Sequence, residues 1–488
     1  MIIDKEGMKA IEAASGIPVD ELMEEVGKAV YMRLLEEITP DSTVLFLCGK
    51  GNNGGDGFVT ARLLSKHCSC RVYLAEGKPA AAPAMHAYRK LPRKCWVKED
   101  ELNDVIRKSD LIIDAVYGFG FRGSLRPNLK QLFSSVNRMG KRVFSIDLNS
   151  GCECDTAACD SDAIRSEVTL AIECFKPFHM MRREHGRFQK AEILDLSLPH
   201  PFASPCREMD ADRFFASFPK KAENAYKGTF GKTLLIGGSY GMAGALSLNI
   251  TGAKTVGAPY IVAALPHEIY PIAAVKHTTP VFRPFGDESW YSVLEPLVHS
   301  SAAIGFGSGA SYMTHKGEIL DLLLQESRVP VVLDAEALRL LNHNMYILRF
   351  AKCPVILTPH IGEFAAVTGL PEAVIRDNRI KTAQDFAKSY KVIVVLKGAN
   401  TVAAFPNGEL YINQSGSQAL AQAGAGDLLT GILTGILTLT RDVHTAVCMA
   451  VWLHGYLAEY GLKYHSVQNF PLECFPSLMD ELFRQRGL

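Results

Sequence analysis

Short apolar runs, each closed by glycine or a polar residue and each followed by a helical pattern, recur along the chain. In residues 19–38, Leu22, Val26, Val30, Leu34 and Ile38 form a stripe at helical spacing, which predicts an amphipathic helix. The runs at 43–48, 72–75, 111–113 and 143–146 predict buried strands. The first ends in GKGNNGGDGF (49–58), the third in Asp114 and the fourth in Asp147. Helical stretches lie between them, so a parallel sheet with right-handed crossovers is expected.

Residues 197–228 break the pattern with Pro199, Pro201, Pro205 and Pro219, and they predict a boundary between domains at 1–215 and 216–488. The rhythm then resumes. Residues 232–236 run into GGSYGMAGA (237–245) and a helix reaching about residue 256. Further strand ends are Ile304 before GFGSG (305–309), 331–333 before Asp334, 355–357 before TPHIGEF (358–364), and 393–396 before KGANT (397–401). Last comes AGAGDLLTGILTG (423–435), where Leu428, Leu429, Ile432 and Leu433 recur at helical spacing. Gly431 and Gly435, one turn apart, would let a neighbouring element approach closely.

Ligands of open parallel sheets bind beyond the carboxyl ends of the strands. The glycine loop, Asp114 and Asp147 should therefore face one crevice. In the second half, strand ends carrying Gly, Lys, His or Asp describe a nucleotide cleft. A glycine turn opening a helix aims N–H groups and the positive dipole end at an anion. Asp427 beside such a site is costly, unless it takes a proton from a hydroxyl next to a phosphate; the plain alternative is a helix N-cap. Lys397 suits a phosphate. His360, between Pro359 and Gly362, sits in a turn and suits ligand contact. Glu363 suits a base, a ligand of Mg²⁺-bound water, or simply a helix-start carboxylate.

Composition narrows the partners. Lys+Arg and Asp+Glu are equal at 52 each, which supports neither a nucleic-acid nor a membrane-surface partner. No apolar run reaches the roughly 18 residues of a bilayer span, and the charged amphipathic N-terminus is no signal peptide, so a cytoplasmic protein is expected. The 12 cysteines, scattered without a secretory signal, are expected as reduced thiols. Cys68 with Cys70, and Cys152 with Cys154 and Cys159, lack a matching zinc-type partner pair. A homo-oligomer is expected.

The loop GNNGGDGF, Asp114 followed by Val116-Tyr117-Gly118-Phe119-Gly120, and Asp147-Leu148-Asn149-Ser150-Gly151 resemble the NAD(P)H-hydrate epimerase domain. That resemblance implies a Rossmann-like three-layer sandwich that binds K⁺ through Asn53, Asp114 and Ser150. It also implies a nucleotide-hydrate pocket of Asn52, Asn53, Gly54, Gly55, Asp56, Gly118, Phe119, Gly120, Phe121, Arg122, Gly123, Ser124 and Asp147, with Asp147 moving a proton. Asn149 stands where the family usually has Pro, Glu25-Val26 where it has Asn-Ala, and Lys176-Pro177-Phe178-His179 where it has Lys-Pro-Gly-Leu.

GGSYGMAGA, GFGSG, LDAEAL (333–338), TPHIGEF, KGANT and AGAGD, in that order, resemble the NAD(P)H-hydrate dehydratase domain, which implies a ribokinase-like α/β fold. By this resemblance Lys397, Gly398, Ala399, Asn400, Thr401 and Gly426 bind ADP or ATP with Mg²⁺. Ala243, Gly309, His360 and Asp427 contact the hydrated nucleotide, and Asp427 is the base. The expectation is therefore a fused α/β repair enzyme for NADHX and NADPHX. Its rival is a C-terminal small-molecule kinase with a non-catalytic, ligand-binding N-terminal domain.

Overall fold

The computed structural model describes residues 1–226, 228–342 and 344–487, and the chain divides into two compact units, Met1–Cys206 and Arg207–Leu488. The first unit holds six strands: β1 (Thr43–Cys48), β2 (Ser69–Leu74), β3 (Leu111–Ala115), β4 (Arg142–Ile146), β5 (Ser166–Ile172) and β6 (Phe188–Leu194). They pair in parallel throughout, in the order β2-β1-β3-β4-β5-β6.

Side-chain alternation makes this unit a three-layer sandwich. Val44, Phe46 and Ile113 face one core with Leu22, Val26, Val30 and Phe58, from the helices Val19–Leu34 and Asn52–Leu64. Their neighbours Leu45, Leu47 and Ile112 face a second core with Leu129, Phe133 and Val136 of the helix Pro127–Arg138. The strands are buried on both faces, which explains why they read as continuous apolar runs.

In the second unit the strands are β7 (Cys206–Arg207, at the boundary), β8 (Thr233–Ile236), β9 (Ile261–Pro266), β10 (Val281–Phe285), β11 (Ala303–Phe306), β12 (Val331–Leu333), β13 (Val355–Leu357), β14 (Ile393–Leu396), β15 (Val402–Ala404) and β16 (Leu410–Ile412). Their order is β10-β9-β8-β11-β12-β13-β14-β15-β16-β7. The stretch from β10 to β14 is parallel, as the sequence predicts, but β15 and β16 are antiparallel, so the sheet is mixed. The cause is local: the KGANT turn and the turn at Pro406-Asn407-Gly408 are too short for crossovers, so the chain folds back as a meander.

The helix Ala425–Leu439 is buried over nearly its whole length and crosses the helix Ala243–Thr255 at close range. The glycine spacing explains the approach. A Cβ at Gly431 would overlap the Asn249 carbonyl, and one at Gly435 would lie 2.6 Å from Val256 Cγ2. Gly252 meets the Leu428 carbonyl from the other side.

One cysteine expectation is corrected. Cys152 and Cys159 are joined by a disulfide across a short antiparallel bridge, and no second disulfide forms among the described residues. The bridge brings two residues seven apart in sequence side by side, which the cysteine spacing alone did not reveal.

Gly431→Val should cost the second unit about 1–3 kcal/mol through overpacking. Denaturant unfolding followed by tryptophan fluorescence checks this, since Trp290 and Trp452 both lie in that unit. An unchanged midpoint would show that the helices can separate freely.

Candidate active sites

The first site is a cavity of about 1020 Å³ at the carboxyl ends of β1, β3 and β4, covered by the helices Lys5–Ser15 and Val19–Leu34. Asn52, Asn53, Asp56, Gly118, Phe119, Gly120, Phe121, Arg122, Ser124 and Asp147 all line it. Gly54, Gly55 and Gly123 do not. Gly54 instead lets the loop fold onto the Gly49 carbonyl, Gly55 lies under the Met23 thioether, and Gly123 gives its N–H to Glu153 Oε1 at 2.8 Å.

Asn53 and Asp147 converge on Gly118, where a Cβ would lie 2.9 Å from Asp147 Oδ2 and 3.4 Å from Asn53 Cγ. Only glycine fits between them. Asp147 has φ +66°, a left-handed conformation that a non-glycine residue holds only under restraint. Its Oδ2 accepts from Phe119 N at 2.9 Å, and Lys176 Nζ lies 2.7 Å from Oδ1.

Acidic groups crowd this cavity. Burial, then the charges of Asp147 and Glu12, push the Asp56 carboxyl well above the usual carboxylate range. Burial and Asp147 likewise raise Glu12, from the first helix. Asp114 sits behind the cavity, fully buried, with its oxygens held by Ser145 Oγ (2.9 Å), Ser150 N (2.8 Å), Ser150 Oγ (2.5 Å) and Val116 N (3.4 Å). Burial lifts its carboxyl to about 6 despite these neutral donors. Asn53 Oδ1 is buried and accepts no hydrogen bond from the described residues. Asn53, Asp114 and Ser150 thus offer an amide oxygen, a carboxylate and a hydroxyl, the kinds of oxygen ligand that suit a hard cation.

Two departures from the epimerase pattern are structural. Asn149 is fully buried; its Nδ2 donates to Ile164 O, Ser166 Oγ and Arg187 O at 3.0–3.1 Å, and its Oδ1 accepts from Thr169 Oγ1 at 2.6 Å. Glu25 is an exposed partner of Lys28.

The second site lies at the carboxyl ends of β11–β14 and at the start of the helix Ala425–Leu439. Asp334, just past β12, is buried and receives Lys397 Nζ (2.9 Å) and Thr358 Oγ1 (2.8 Å). Burial raises its carboxyl, but Lys397 and these donors outweigh that and hold it below the usual range. Asp427, in the first turn of its helix, moves the opposite way. Burial and then the Asp334 charge push it up to about 6, against the pull of the Ser308 hydroxyl and Lys397. Glu363 Oε2 lies 3.8 Å from Lys397 Nζ, and a Cβ at Gly426 would lie 3.2 Å from that ammonium.

His360 caps the helix Ile361–Thr368: its Nδ1 accepts Glu363 N at 3.2 Å, while Glu363 Oε2 accepts His360 N at 2.9 Å. The imidazole is otherwise exposed. Gly309, at φ +67°, tucks under the Met242 carbonyl beside Ala243, where a Cβ would lie 2.7 Å from that oxygen. In KGANT, Gly398 and Ala399 are exposed and Gly398 N reaches Thr401 Oγ1 at 3.3 Å. Asn400 is buried, with its amide on Asn413 O at 3.0 Å.

Sequence reasoning missed Asn249, which donates to both Asp427 O (2.7 Å) and Ser308 Oγ (3.1 Å) and so ties the helix start to the glycine loop of β11. It also missed Glu12, Lys50, Glu76 and Tyr117 in the first cavity. Tyr117 and Glu76 are joined by a 2.7 Å hydrogen bond. Lys50 and Tyr117 lie inside the motifs at 49–58 and 116–120, whereas no local motif marks Asn249, Glu12 or Glu76.

Two α/β units, each with carboxylates gathered at one rim of a largely parallel sheet and the second with a glycine-opened helix beside them, define a nucleotide-handling enzyme of two sites. Residues 19–178 match the family model described as YjeF-related protein N-terminus, and residues 233–475 match that of NAD(P)H-hydrate dehydratase. The chain is 31% identical over 469 residues to the bifunctional NAD(P)H-hydrate repair enzyme Nnr of Moorella thermoacetica, covering 90% of this chain and 87% of that protein. It is similar to the Bacillus subtilis ADP/ATP-dependent NAD(P)H-hydrate dehydratase co-crystallised with ATP and Mg²⁺, at 29% identity and TM-score 0.50, over 56% of this chain and 96% of that one. A ribokinase-like superfamily protein from Enterococcus faecalis shares the fold, at 20% identity and TM-score 0.51, over 59% of this chain and 98% of that one. The chain belongs to the bifunctional NAD(P)H-hydrate repair enzyme family.

Asp334→Asn removes a charge that raises Asp427 and releases the Lys397 ammonium beside it, so the Asp427 carboxyl should fall from about 6 towards its ordinary value. Carboxyl ¹³C titration by NMR measures the shift; an unmoved midpoint would mean that burial alone sets it.

Proposed function

We propose that this protein repairs hydrated nicotinamide coenzymes in two steps: the first unit interconverts the R and S hydrates of NADH and NADPH, and the second dehydrates the S form with ADP or ATP. The observation that carries the second step is Asp427, a carboxyl at about 6 in the first turn of a glycine-opened helix beside Lys397. A base poised near neutrality takes the proton of the hydrate hydroxyl as that oxygen attacks the terminal phosphoryl group. Phosphorylation turns a poor leaving group into a good one. Loss of phosphate and of a ring proton then restores the dihydronicotinamide.

The N–H groups of Gly424 to Gly426 steady the charge that develops, and the Lys397 ammonium stands ready for the phosphates. Lys397 and the 398–401 turn bind the nucleoside phosphate, with Glu363 beside them to hold Mg²⁺-bound water. Ala243, Gly309 and His360 flank the hydrate.

In the first unit Asp147 moves the proton as the hydrate carbon inverts, and the cavity walls from Asn52 to Asp56 and Gly118 to Ser124 hold the nucleotide. Asn53, Asp114 and Ser150 hold K⁺, whose charge compensates the buried Asp114. Fusing the two units feeds the otherwise unusable epimer to the dehydratase.

The test is to give the purified protein both hydrate epimers with ADP or ATP. Complete conversion to reduced coenzyme with release of orthophosphate is expected. A halt once the S form is consumed removes the epimerase, and a stable phosphorylated product makes the second unit a kinase. Asp427→Ala should abolish dehydration and leave epimerisation intact; unchanged dehydration refutes the assigned base. Dehydration by the wild type should fall as pH drops through about 6, because a protonated Asp427 cannot accept the hydroxyl proton. Replacing K⁺ by tetramethylammonium should slow epimerisation, and an unchanged rate would remove the ion from the first site.

A further inference from the structure

Asp147 adopts a left-handed backbone conformation at the cavity wall, and the short turn at Lys176–His179 packs against it from behind. Lys176 is completely buried, with Nζ 2.7 Å from Asp147 Oδ1 and 2.6 Å from the Ile172 carbonyl it donates to. Its contact with Oδ1 is an ion pair rather than an aligned hydrogen bond. Three residues on, His179 Nδ1 accepts Lys176 N–H at 2.9 Å, and its Nε2 lies 2.8 Å from the Asp147 carbonyl. With Nδ1 accepting, Nε2 carries the proton of the neutral ring and donates it to that carbonyl. Burial, then the Lys176 ammonium, keep the imidazole neutral by pulling it down to about 3.

Neither side chain lines the cavity, whereas Asp147 does. One turn thus grips Asp147 twice, by its carboxylate and by the carbonyl of its strained residue. The first grip matters because the Asp147 charge faces two further carboxyls of the cavity wall, Asp56 and Glu12, and raises both. The second belongs to a position where this chain has His and the related pattern has Leu, and a leucine has no donor for a carbonyl.

We infer that Lys176 and His179 are positioning residues for epimerisation: together they fix the Asp147 carboxylate and its peptide at the cavity wall without touching the hydrate. This rests on the reading of Asp147 as the group that moves the proton.

The test uses the full-length chain and the separated R and S hydrates, with dehydration of the S form in the same preparations as the control for intact protein. Lys176→Met and His179→Leu should each lower kcat for epimerisation by about 10²-fold, as a displaced catalytic group does, while KM for the R hydrate stays within about twofold. His179→Gln, which keeps one N–H donor and one acceptor, should recover most of the His179→Leu loss. A purely packing role would move KM and kcat together and would leave Gln no better than Leu; that result overturns the inference. So does wild-type kcat in both Lys176→Met and His179→Leu when Asp147→Asn is inactive, and that pattern spares the reading of Asp147. Full epimerisation by Asp147→Asn overturns that reading and this inference with it. Should Lys176→Met fail to fold, the Leu and Gln variants at 179 decide the matter alone.

Discussion

Each of the two sites is built around one lysine paired with one buried aspartate at a strand end: the buried Lys176 with Asp147 at 2.7 Å, and the half-buried Lys397 with Asp334 at 2.9 Å. A buried charge without a partner is expensive, and removing one member of such a pair typically costs about 3–5 kcal/mol. The pair therefore dictates what surrounds it. In the second unit, Lys397 lets Asp334 stay ionised under complete burial, and the Asp334 charge in turn lifts Asp427 to about 6. Two carboxylates in one pocket end up in opposite states, one fixed as an anion and one able to exchange a proton near neutrality.

The sheets supply the geometry that these charges need. Parallel strands deliver Asp114, Asp147, Asp334 and Lys397 to their carboxyl ends, where helix N-termini also point. Glycine then sets how closely the pieces approach. Gly118 leaves room for Asn53 and Asp147 to meet, and Gly431 lets the helix carrying Asp427 press against the Asn249 backbone, whose side chain caps the Asp427 carbonyl. The close packing of that helix and the placement of its first-turn carboxylate are thus one constraint.

Much of this was legible in the residues alone. Apolar runs ending in Asp or Gly marked the strands and their functional ends, because strands buried on both faces have no polar alternation to hide them. GNNGGDG and AGAGD announced loops that must bring backbone close to something. What stayed hidden depends on contacts far apart in sequence. Glu12 reaches the cavity from the first helix, Asn249 bridges 178 positions to Asp427, and His179 caps Asp147 across 32. The antiparallel β15–β16 pair was missed because three-residue apolar strands, Val-Ala-Ala and Leu-Tyr-Ile, carry no sign of direction. The Cys152–Cys159 bridge was missed because spacing alone does not show that a turn folds back on itself.

The two lysine–aspartate pairs can be observed directly through the lysine side chains. In protein labelled with ¹⁵N at lysine Nζ, two ammonium signals should be protected from solvent exchange, one lost in Asp147→Asn and the other in Asp334→Asn. If no lysine is protected, or if both protected signals survive the two substitutions, the pairs do not form and the account of both sites fails.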